Sequence, residues 1–198
     1  MRLRLRGVLL AASLAPVLVA LQANAQDKHV TTIGNCMVID TPGAYQLGRV
    51  ITATTRELMS FPGIPFPTCI VIAVDFVTLD LGGNTIIGPG SGLGIASPGN
   101  TRGIKVHSGN VTNFDYGVIM DGNGHMVEYV RGIGNRESGI QVGPSGIGHR
   151  VIGNVTNNNG LGLTASCPSV VVGNVATGNV VDIDTAGFCT RSDNSPPP

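Results

Sequence analysis

Tryptophan is absent from this chain of 198 residues, Tyr and Phe together make up 4% of it, and only 12% of residues are charged. Scarce aromatics argue against the broad stacking surfaces on which many carbohydrate-binding and single-strand nucleic-acid modules rely. Few and scattered basic residues leave no stripe for a phosphate backbone, which excludes nucleic acid as partner. The apolar stretch Val8–Leu21 is 14 residues long, short of the ~20 that cross a bilayer, and no later segment exceeds it, so membrane insertion is not expected. No Cys-x-x-Cys or His-x-His spacing occurs, so no metal site is expected. The run GPGSGLG from Gly88 completes neither a P-loop nor a dinucleotide fingerprint, and Gly-x-Ser-x-Gly is missing. Nothing calls for a cofactor.

What is present starts with MRLRLRGVLLAASLAPVLVALQANA, three arginines, an apolar stretch and Ala-Asn-Ala. That order is expected of a cleaved signal peptide, residues 1–25, and of export to the periplasm or the extracellular space. Loss of Arg2, Arg4 and Arg6 leaves 9 basic against 12 acidic residues, a charge of −3. All four cysteines, Cys36, Cys69, Cys167 and Cys189, follow the leader, and an even number in an exported chain implies two disulfides. Of the three pairings, Cys36 with Cys69 and Cys167 with Cys189 is favoured, because each pair is close in sequence and lies at one end.

Two markers recur. Gly-Asn falls at Gly109, Gly134, Gly153 and Gly173, with gaps of 25, 19 and 20; a Gly opening an apolar alternation falls at Gly117, Gly139, Gly160 and Gly178, with gaps of 22, 21 and 18. A mean of about 21 is too short for a βαβ unit, which needs ~30 residues. It suffices for one winding of short strands with Gly, Asn or Asp at the corners, each strand pairing in parallel with its equivalent one winding later. Parallel crossovers make such a coil right-handed. The expected fold is therefore all-β, a single-stranded right-handed parallel β-helix. Cys69–Val74 and Phe76–Leu81 read as successive strands of one coil, with Asp75 and Gly82-Gly83-Asn84 as its corners. Residues 26–68 fit the repeat poorly and read as an N-terminal cap with a lead-in strand at Tyr45–Leu47; 69–191 form the helix; 192–198 read as a disordered tail.

At Pro42-Gly43-Ala44-Tyr45-Gln46-Leu47 and from Cys69 to Gly83 the sequence resembles the pectin-lyase-like superfamily of right-handed parallel β-helix proteins, and within it small exported bacterial members. The resemblance spans roughly Cys36 to Cys189. It implies the fold and leaves function open, since the superfamily holds polysaccharide lyases, hydrolases, epimerases and tailspikes.

Its chemistry is hard to find here. The polygalacturonase motifs Asn-Thr-Asp and Asp-Asp are missing, so the two carboxylates of glycoside hydrolysis have no match. For a calcium-dependent lyase the nearest candidates are Asp182 and Asp184, on one face of a strand, with Arg191 nearby; a solvated pair is the simpler reading. His125 and His149 both follow Gly and are spaced to stack on adjacent coils, where they would act as an acid–base pair or form a plain ladder. Asp75, Asp80, Asp115 and Asp121 would line one groove or cap corner amides. Arg131, Arg136, Glu128 and Glu137 gather around one coil as exposed ion pairs. The expectation is an exported structural or binding module that contacts a surface polysaccharide or partner protein, the alternative a polysaccharide lyase or epimerase acting on uronic-acid polymers.

Overall fold

A computed structural model describes residues 30–195, so the expected leader lies outside the described residues. Within them every regular element is a strand and the paired strands run parallel, stacked as a β-solenoid. One sheet has seven strands in chain order: Met37–Ile39, Thr68–Ile72, Leu93–Ser97, Tyr116–Met120, Ser138–Val142, Leu161–Ser166 and Val181–Ala186. The other, of twelve strands, is bent along its length. Inside the long strands Lys105–Thr112 and Met126–Ile133 the bend falls at Ser108 and Tyr129, with φ of 61° and 54°. In later coils Gly153 and Gly173 hold that left-handed position, with φ of 63° and 66°. Glycine adopts it without a Cβ clash, which is why Gly recurs there. A coil thus has three faces and a bend between each pair.

Like residues stack inward. Leu79, Val106, Val127, Val151 and Val171 form one fully buried column in register. Ile70, Ile95, Val118, Ile140 and Leu163 form another on the seven-stranded face. Each such side chain contributes about 1.5–3 kcal/mol by leaving water. In the last coil Arg191 pairs in register with Val171 and donates to the Thr185 hydroxyl at 3.0 Å, so polar groups close that end. A charge at an inward position also discourages another strand from extending the sheet.

The Gly-Asn period proves to be a mixture. Gly153-Asn154 and Gly173-Asn174 lie at one bend and Gly134-Asn135 at the next, while Gly109 itself takes the inward position and Asn110 pairs with Arg131. From His125 to His149, or Asn135 to Asn159, a winding takes 24 residues; from His149 to Ser169, or Asn159 to Asn179, it takes 20. Any bend needs a left-handed residue and a group to satisfy the next amide, so the dipeptide marks bends and not windings. From the histidine bend to the second asparagine bend both kinds of coil take 10 residues, so the extra residues follow it: one where Arg136-Glu137 stand against Gly160 alone, and the rest in residues 143–148 of the wide coil, where the narrow coil has Ser166-Cys167-Pro168.

Both disulfides join the expected partners, Cys36 with Cys69 and Cys167 with Cys189, at Cα separations of 4.4 and 4.9 Å. The segment read as a cap contributes strands to the same sheets: Val30–Ile33 pairs with Gly43–Leu47, and that strand with Val77–Asp80. Its misfit to the repeat comes from residues 53–67, which leave the coil as a loop. Of the residues expected in the tail, Asn194 donates to the Val171 carbonyl and Ser195 bridges Val175, while 196–198 lie outside the described residues.

Candidate functional site

Each bend carries a ladder of side chains that serves amides no strand reaches. At the first, Asn154, Asn174 and Asn194 stack: the N–H of Val130 donates to Asn154 Oδ1, that of Asn154 to Asn174 Oδ1 and that of Asn174 to Asn194 Oδ1, at 2.9–3.0 Å. At the second, Asn135, Asn159 and Asn179 do the same, beginning with the N–H of Phe114. Asp182 ends that ladder. Its Oδ1 accepts from both the N–H and the Nδ2 of Asn179, at 3.1 and 2.9 Å, standing where another coil would supply an asparagine oxygen. Gly139 and Gly162 hold the equivalent register positions in earlier coils, where a Cβ would come within 2.8 and 2.6 Å of the ladder amides. Asp184 faces solvent beside Thr164, and Arg191 is engaged by Thr185, so these three residues do not converge.

The histidines form the third ladder. The N–H of Ile104 donates to His125 Nδ1 and that of His125 to His149 Nδ1, both at 3.2 Å, and that of His149 to the Ser169 hydroxyl at 3.0 Å. The rings stack at 5.6 Å, as their spacing implied, but they are buried at 0% and 1% exposure. An Nδ1 that accepts must be unprotonated, so each ring is a neutral Nε2–H tautomer. His125 Nε2 donates to the Asp121 carbonyl at 2.8 Å, and His149 Nε2 is buried and, among the described residues, has no partner. Burial lowers the His125 pKa to about 4 in spite of that carbonyl and the charges of Asp121 and Asp75; His149 is lowered too, again by burial first.

Asp75, Asp80, Asp115 and Asp121 each cap backbone, accepting from the N–H groups of Arg102, Gly82, Gly92 and Gly122. They share no groove. Asp80 joins a charged stripe on the twelve-stranded sheet, in register with His107 and Glu128. There His107 Nδ1 lies 3.5 Å from Asp80, Lys105 Nζ 2.7 Å from Glu128 and Arg150 Nε 4.0 Å from Glu128. Arg136 pairs instead with Asp115 at 2.9 Å and Glu137 at 3.3 Å. Among the described residues no three of His, Cys, Asp and Glu are grouped to hold a metal ion.

A groove that the sequence did not reveal runs along the outer face of the seven-stranded sheet. The loop 53–67 leans over that face and forms a hollow of about 260 Å³ with Ile64, Phe66, Tyr116, Ile119, Asp121 and Gln141 among its walls. Phe66 and Tyr116, two of the eight aromatic residues, stack there at 5.9 Å and 27°. A second hollow of about 440 Å³ shares Tyr116 and Gln141 and continues to Glu137, Leu161 and Val180. Fifty residues separate the two rings in sequence, so only the folded loop brings them together.

Comparison with protein-family models, with curated proteins and with solved structures finds no match.

Proposed function

We propose that the chain is an exported β-helix binding module that lays a surface polysaccharide along the groove of its seven-stranded sheet. The observation that carries this reading is the Phe66–Tyr116 pair, a stacked aromatic wall beside the Gln141 amide on a surface of otherwise low aromatic content. An apolar lining with a few polar groups is the usual make-up of a ligand site. Export is supported by the leader pattern in residues 1–25 and by the two disulfides, which persist in oxidising compartments. Affinity electrophoresis of the protein in gels cast with soluble polysaccharides tests the binding: retardation in at least one polymer, abolished by Tyr116→Ala, is expected. Unaltered mobility in all of them removes the reading.

A second reading, a polysaccharide lyase or epimerase acting on uronic-acid polymers, draws on the stripe of Asp80, His107, Glu128 and Lys105, where acids and bases of adjacent coils share one face. Incubation with polygalacturonate and alginate, with and without calcium, separates the two readings. New unsaturated ends, or a changed uronate composition, lost in Lys105→Ala or His107→Ala, would favour the enzyme.

A further inference from the structure

From the charges that line the groove we infer that its ligand is an uncharged glycan, and that uronic-acid polymers are excluded from it. The inference rests on the groove being the binding site, as proposed above. Asp121 and Glu137 line the two hollows, and among the described residues no Lys, Arg or His does. Asp121 is held by the N–H groups of Gly122 and Ser145 and by the Ser145 hydroxyl, all uncharged partners, so its negative charge is not cancelled by a neighbouring cation. Arg136, the cation nearest Glu137, is shared with Asp115, which leaves that trio at a net −1. The two His rings behind Asp121 are neutral. An anion entering the groove therefore meets two unbalanced negative charges and no donor cation, at a site whose apolar walls weaken solvent screening.

The remaining lining suits hydroxyl-rich rings. Stacked Phe66 and Tyr116 offer an apolar wall, while the Gln141 amide and Tyr116 hydroxyl both donate and accept and, among the described residues, have no hydrogen-bond partner. The strands that begin at Leu93, Tyr116, Ser138, Leu161 and Val181 lie side by side in register. At ~4.8 Å per strand they span about 19 Å, room for several sugar rings in an extended chain.

Isothermal titration of the full chain with cellohexaose, xylohexaose, mannohexaose and the hexamer of galacturonate, each in about 0.01 M and about 1 M NaCl, tests this. At least one neutral hexamer is expected to bind with little salt dependence and to lose ten-fold or more in affinity in Tyr116→Ala and in Gln141→Ala, with unchanged circular dichroism. The galacturonate hexamer is expected not to bind at low salt. Tyr116→Phe, which keeps the ring and the packing, should lose less than Tyr116→Ala. Galacturonate binding that disappears in Tyr116→Ala would overturn the inference and leave the groove as the site. Absence of binding by every hexamer, or neutral binding indifferent to both variants, would overturn the groove reading itself.

Discussion

The asparagine bends and the histidine bend meet one demand with different chemistry. In both, a backbone N–H that turns away from its sheet is received by a side-chain atom of the next coil, one bond beyond Cγ: Oδ1 in Asn154 or Asn159, Nδ1 in His125 or His149. An asparagine also returns a donor, since Asn154 Nδ2 reaches the Val127 carbonyl at 2.8 Å and Asn174 Oδ1 at 3.0 Å. Histidine reaches a carbonyl only with Nε2, and can take a proton at the atom that must accept. An asparagine rung is therefore free of titratable atoms and satisfied on both sides, whereas a histidine rung is titratable, and among the described residues His149 Nε2 has no partner. The wide coil places a ring at that bend; the narrow coil ends the column with Ser169 and Cys189.

The largest expected effect comes from breaking an asparagine ladder in its middle. Asn154→Ala strands the Val130 amide and takes a donor from the Val127 carbonyl in the interior and should cost roughly 2–6 kcal/mol, at about 1–3 kcal/mol per group, read by urea unfolding. A loss below 1 kcal/mol would show that water or local adjustment serves those groups.

Acid should single out the histidine bend. His125 titrates at about 4 when folded and near its ordinary 6.5 when unfolded, so the unfolded chain binds the proton first and stability falls as pH drops from 6.5 towards 4. A shift of that size corresponds to about 3 kcal/mol. His125→Asn keeps an acceptor at the same place and removes the proton site. It is expected to hold most of the stability at pH 7.5 and to flatten the slope between pH 6.5 and 4. An undiminished slope would assign the acid sensitivity to other groups.

A smaller effect is expected where the histidine column ends covalently. Replacing Cys167 and Cys189 by Ser should cost about 2 kcal/mol and loosen the last coil locally. Hydrogen exchange should then speed at Thr190, whose N–H is bonded to Ser169, more than at Asn174, which the Asn194 rung still serves. Equal acceleration at both would mean that the last coil opens as one unit. The smallest change is expected outside any ladder. Arg102→Ala breaks an ion pair of 3.1 Å with Asp75 whose arginine is 68% exposed, and thermal unfolding should register less than ~1 kcal/mol.

Much of the scaffold could be read from the chain. The runs from Cys69 to Val74 and from Phe76 to Leu81 are apolar at every other position or more, which suits strands covered by their neighbours, and the structure places the strands within them on adjacent faces of one coil. The 22 residues between Cys167 and Cys189 bring the two thiols together for the same reason. The bends were read less well. Gly-Asn marks a conformational need that arises more than once per winding, so its average spacing could not separate coils of 24 and 20 residues. Asp182 resembled a ligand because its role as a rung, accepting from Asn179 where earlier coils use an asparagine oxygen, shows only once the coils are stacked. The Phe66–Tyr116 pair left no periodic trace, since one ring belongs to a loop that repeats nowhere.

Sequence by itself determined the winding, because inward stacking of Val, Ile and Leu and left-handed corners are local demands that each residue type either meets or fails. Tertiary structure alone decided which amides the histidines receive, where the acids are consumed as caps and that two aromatic rings share a groove. Those outcomes depend on distances between coils, and a distance exists only once the coils are stacked.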